Sequence, residues 1–147
     1  MFNRREEEKQ RLKLKMELYG SYTREIEHKQ RRYFEIEQEI QMNENIQRAA
    51  KNLGVYSDDP YRPADKQLLH EYHSIEDEIK TLELERSYLG LDEFLEKLGA
   101  KEKIIMMKLY VDKLTYAEIS RQREIDYSAS TCYRVVKKIF EIETAFH

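Results

Sequence analysis

Two stretches near the C-terminal end of the chain hold residues whose types and spacing could do chemistry, and that chemistry is recognition. In "LTYAEI", Thr115 stands three residues before Glu118. This is the spacing of a capping box, in which the threonine oxygen accepts a first-turn amide hydrogen and the glutamate returns to the cap amide. It predicts a helix from about Tyr116. In "YSASTCYRVVKKIFE", Ser128 is placed to cap a second, longer helix. Cys132, Val135, Val136, Ile139 and Ile142 or Glu143 recur there at spacings of three and four, toward a core. The opposite face reads Ala129, Ser130, Tyr133, Arg134, Lys137 and Lys138. Small and hydroxyl residues at the tip permit close approach to a duplex, Tyr and Arg reach base edges or phosphates, and the lysines follow the backbone. With Thr131 at the tip and Arg121 and Arg123 in the connector, these residues and Ser128 form the DNA-binding candidate set.

The same cations would also suit a plain solvated helix face, where positive charge in the C-terminal half favours the helix dipole. The arrangement argues for recognition: a short capped helix, a connector and a longer capped basic helix, with an apolar helix just upstream. Nine residues separate Glu118 from Ser128, a longer connector than the compact form of such a pair, and none is glycine. Asp126 is the residue there best able to take a left-handed backbone.

Other chemistry finds no footing. His70 and His73 in "LLHEYH" are three apart, whereas two histidines sharing a metal on one helix face stand four apart. No third ligand is in view, so they read as surface residues. There is no glycine-rich phosphate loop, and the many carboxylates alternate with Lys and Arg as solvated helix faces do. An enzyme reading has no nucleophile or acid/base pair, and neither a cofactor nor a metal is expected.

The elements that must position the basic helix are themselves helical. Charged residues make up 37% of the 147, with four Gly, two Pro and no Trp, a composition of long solvent-bathed helices. The fold class expected is all-α: a long N-terminal helical hairpin over residues 1–90, then a C-terminal helix-turn-helix domain over 91–147. In the first part Tyr22, Ile26, Lys29, Tyr33, Ile36, Ile40, Asn43, Gln47 and Ala50 advance by fours and threes, a coiled-coil seam. Gly20-Ser21 suggests a break before it. "NLGVYSDDPYRPAD", 52–65, reads as the hairpin loop, and Leu68, Tyr72, Ile75, Ile79, Leu82, Arg86 and Leu89 form the returning seam. Gly90 and Gly99 bracket a short helix that Asp92 could cap, bearing Leu91, Phe94, Leu95 and Leu98 on one side. Ile104, Ile105, Met107, Leu109 and Val111 then mark a central core helix. Lys29, Asn43 and Gln47 interrupt the first seam, either fixing register in a weak pairing or lying at the solvent edge of a short bundle. A long hairpin with few apolar residues per turn needs an opposing surface, for which a second copy is the cheapest source, so a homodimer is expected.

Net charge is −3, but residues 101–147 hold nine Lys/Arg against seven Asp/Glu, so the basic excess lies at the C-terminal end. It is small, and specific DNA affinity would need a dimer or a protein partner. The single cysteine, Cys132, excludes an internal disulfide, and the start "MFNRREEEKQ" has no signal-peptide apolar run. A cytoplasmic protein without membrane attachment is expected.

At "KEKIIMMKLYVDKLTYAEI" and "YSASTCYRVVKKIFE" the sequence resembles the sigma-factor region-four helix-turn-helix as found in phage late-transcription regulators of the RinA and ArpU type. The likeness extends loosely over the chain, since those regulators also carry a long charged helical N-terminal part. It implies a DNA-binding activator of phage or prophage late genes, working beside RNA polymerase in a bacterial host. In it Thr115 and Ser128 match cap positions, Ile119 and Val136 core positions, and Ala129, Ser130, Tyr133, Arg134 and Lys137 DNA-facing positions. Two other readings of the same residues stand beside it: a small terminase-like packaging subunit, and a helical adaptor that binds protein only.

Overall fold

The computed structural model describes residues 3–54 and 63–145, and among these every regular element is helical. The order is α1 (Arg4–Asn52), α2 (Pro63–Ser87), α3 (Asp92–Glu96), α4 (Ala100–Tyr110), α5 (Tyr116–Ser120) and α6 (Ala129–Thr144). The loop expected over 52–65 falls largely outside the described residues. No helix among those described is long and apolar enough to cross a membrane.

The chain divides by contact into two units: Met1–Arg24 with Leu84–His147, and Glu25–Glu83. The cuts fall within α1 and α2, whereas the sequence suggested one boundary near residue 90. The reason is a single stripe on α1. Leu12, Met16, Tyr19, Thr23 and Ile26 are buried at steps of four and three, in phase with Tyr33 and Ile36 beyond. The first part of this stripe shares a core with Leu91, Phe94, Leu95, Ile105, Met106, Tyr110, Ile119, Ile125, Cys132, Val136 and Ile139.

Gly20 does not break α1. The helix runs through it, and a Cβ built there would overlap the Tyr110 carbonyl oxygen. The glycine marks a close approach of α1 to the end of α4. One turn on, the Arg24 guanidinium donates from Nη1 to the Tyr110 carbonyl at 2.8 Å and the Val111 carbonyl at 2.9 Å. Both acceptors belong to a helix C-terminus, where carbonyls lack helical partners and positive charge is favoured. Within the same unit Arg86 donates to Thr23 Oγ1 at 3.1 Å with its guanidinium 5.2 Å from the Tyr19 ring centre.

Two further local expectations are corrected. Asp92 is the first residue of α3 and Leu91 holds the cap position, with no side-chain cap bond. In α4 the inward residues are Ile105, Met106 and Tyr110, while Ile104 is exposed and Met107 and Leu109 are half-buried.

In the second unit α1 and α2 run antiparallel. Lys29 pairs with Glu78 at 2.7 Å, the Arg32 guanidinium donates to both Glu71 oxygens at 2.8 and 3.1 Å, and Tyr33 stacks on Tyr72 at 4.2 Å. Ile26, Ile36 and Ile75 are buried between them, and the polar seam residues Lys29, Asn43 and Gln47 are half-buried. The Tyr33 hydroxyl is pushed up to about 12, first by its hydrogen bond with Tyr72.

The hydrogen bond from Arg32 holds the Glu71 carboxyl below its usual value of 4.5, and that from Lys29 does the same for Glu78. An unfolded chain then binds more protons than the folded one, so this stabilisation is complete above the ordinary carboxylate range and is lost as pH falls through the folded values. Thermal melting followed from neutral to acid pH should show this loss. Glu71→Gln should melt lower at neutral pH and show a flatter acid limb. Parallel limbs for the two proteins would refute the assignment.

Candidate functional site

The C-terminal residues singled out by sequence lie on α5, α6 and the connector, and α4, α5 and α6 pack on one another. Thr115 closes the expected capping box: its Oγ1 accepts the Glu118 amide at 3.2 Å, and Glu118 Oε1 accepts the Thr115 amide at 3.2 Å. Ile119 then faces the core, fully buried. Ser128 caps α6, its Oγ accepting the Thr131 amide at 3.2 Å. The Thr131 and Ser130 hydroxyls lie 2.8 and 3.2 Å from the same oxygen. Three hydroxyls therefore gather at the tip of α6.

The connector is anchored through Gln122, Glu124 and Ile125. Ile125, the one apolar residue between Ser120 and Tyr127, is fully buried. Lys108 on α4 reaches Glu124 at 2.9 Å and Gln122 Oε1 at 3.4 Å. This hydrogen bond holds the Glu124 carboxyl below its ordinary range. Asp126 turns the chain with φ of 52°, the left-handed conformation expected of it, and Lys113 does likewise at 58° before Thr115.

On α6 Cys132, Val136 and Ile139 are buried, and burial raises the Cys132 thiol above its usual value. Ile142 is exposed and Glu143 half-buried, while Thr144 completes the inward row. The outward row is Ser130, Arg134 and Lys137, with Tyr133 on one side and Lys138 on the other, all exposed. Ala129 and Thr131 are half-buried at the margins. Ser128, Arg121 and Arg123 are exposed as well. Among the described residues Arg121, Arg123, Arg134, Lys137 and Lys138 form no ion pair or side-chain hydrogen bond within the chain.

Two aromatic contacts border this face without any sign in the spacing. Tyr133 meets the edge of Tyr116 with ring centres 5.6 Å apart, which fixes its position against α5. The Lys101 ammonium sits 4.4 Å from the Tyr127 ring centre, adding a cation beside the α6 tip. An aromatic residue near a helix start and a lysine some 25 residues earlier give no periodic signal, so only the fold brings them together. His70 and His73 are exposed on α2, and among the described residues no three His, Cys, Asp or Glu side chains gather as metal ligands would.

Comparison with protein-family models finds no match, and comparisons with curated proteins and with solved structures find no significant one. What the face can do therefore follows from its own chemistry. It offers hydroxyls at a helix start, a positioned tyrosine and uncommitted cations, all of which suit a polyanion.

Proposed function

We propose that α5 and α6 form a helix-turn-helix and that the chain is a sequence-specific double-stranded-DNA-binding regulator of transcription. The α6 tip enters the major groove, with Ser130, Tyr133 and Arg134 toward base edges. Lys137, Lys138, Arg121 and Arg123 contact phosphates. On this reading the resemblance to RinA and ArpU type regulators implies genes of a phage or prophage late programme as targets and a host RNA polymerase as the partner protein. The observation that carries the reading is the outward row of α6: capped at Ser128, cationic at Arg134, Lys137 and Lys138, and with no ion pair or side-chain hydrogen bond to those cations among the described residues. The role is positioning, with no bond made or broken.

Arg134→Ala combined with Lys137→Ala tests it on the full chain. The probe is a pool of random-sequence duplexes enriched by retention on the unaltered protein. The variant should lose selective retention through Arg134, and the slope of log affinity against log salt should fall by about one for each chain bound, since Lys137 is the phosphate contact removed. Circular dichroism should be unchanged, since both side chains are exposed. Equal retention and an equal slope in the variant would remove α6 from the interface.

A further inference from the structure

The outer face of α1 in the Glu25–Glu83 unit carries large apolar side chains that are exposed. Ile36, Ile40, Asn43, Gln47 and Ala50 turn toward the hairpin and are buried or half-buried. Phe34, Met42 and Ile46 are each more than half exposed, and Leu53, just past the helix end, is 83% exposed. Phe34, Gln38, Met42 and Ile46 stand at steps of four, one ridge of the helix, which Ala49 and Leu53 continue by steps of three and four. Four large apolar groups on one exposed face make a patch of the kind that marks an interaction surface.

Charge along the same stretch selects the occupant. Glu35, Glu37 and Glu39 make one third of it acidic, and Arg48 and Lys51 make the other basic, all exposed. A parallel copy of α1 would set acid against acid and base against base. An antiparallel copy sets each acidic third against a basic third, twice, across a two-fold axis. A register centred between Asn43 and Glu44 also places Phe34 opposite Leu53 and Gln38 opposite Ala49, with Met42 and Ile46 of the two copies adjacent at the centre.

We infer that this face binds a second copy of the chain, antiparallel, through Phe34, Met42, Ile46 and Leu53 with the acidic and basic thirds in register. The inference stands apart from DNA binding and is tested without DNA. Sedimentation equilibrium of the full chain should give a dimer. Met42→Asp with Ile46→Asp should give a monomer with unchanged circular dichroism. Glu37→Lys with Glu39→Lys should raise the dissociation constant about tenfold, since each reversal is felt twice, and adding Arg48→Glu with Lys51→Glu to the same chain should restore pairing. Orientation is read by oxidation: F34C and L53C chains mixed together should give mainly the mixed disulfide. A monomer at all concentrations, a closed ring of many copies, or cross-links joining F34C only to F34C would each overturn the inference.

Discussion

Gly20→Ala should destabilise the chain by about 2–4 kcal/mol, although alanine is the better helix former. Inside an unobstructed helix this substitution gains about 1 kcal/mol, because glycine loses more backbone entropy on folding. Here the added methyl has no room, since it meets the Tyr110 carbonyl, a backbone atom that no rotamer change can move. Relief requires α1 and the end of α4 to separate, and that separation stretches the two bonds from Arg24 to the Tyr110 and Val111 carbonyls. Each is a hydrogen bond from a charged donor, of a kind that contributes about 1.5–3 kcal/mol. The steric and electrostatic losses exceed the propensity gain, so the sign of the effect reverses. Ser21→Ala, one residue on and exposed, should stay within about 0.5 kcal/mol. Urea unfolding of both variants decides the matter. A Gly20→Ala chain at least as stable as the unaltered one would mean that α4 does not approach α1 at this glycine.

Gly20 also shows where sequence reasoning stops. A glycine followed by serine reads as a helix end. What requires glycine inside this continuous helix is the Tyr110 carbonyl, distant in sequence, which no local pattern encodes. For a related reason the contact division cuts α1 and α2 rather than parting the chain near residue 90. Burial on α1 keeps one phase from Leu12 to Ala50, so periodicity shows that a stripe is covered without showing that two different partners cover it. Features set by immediate neighbours were legible. The Thr115 and Ser128 caps, the left-handed Asp126 and the amphipathic split of α6 depend on residues within four positions of one another. The basic face was therefore visible in the sequence, while its flanking Tyr116–Tyr133 and Lys101–Tyr127 contacts were not.

The isolated segment 91–147 should fail to fold cooperatively, although it holds the whole candidate DNA-binding surface. Its core is completed from the other end of the chain, because Leu12, Met16 and Tyr19 are buried against the α3–α6 residues, Met16 entirely. Burying side chains of this size contributes about 1.5–3 kcal/mol each. Their joint loss matches the roughly 5 kcal/mol at the lower end of single-domain stabilities. The floor they cover would open to water at the same time. In the full chain, Met16→Ala alone should cost about 2–5 kcal/mol. Its signature is that α4 and α6 lose amide-exchange protection together with the first turns of α1, since all belong to one unit. A 91–147 fragment that melted cooperatively near the temperature of the full chain would show that the N-terminal stripe is dispensable. If the fragment unfolds as expected, its failure to retain DNA would report a missing core rather than a wrong interface. The surface variants of α6 therefore discriminate only in a chain that keeps residues 1–24.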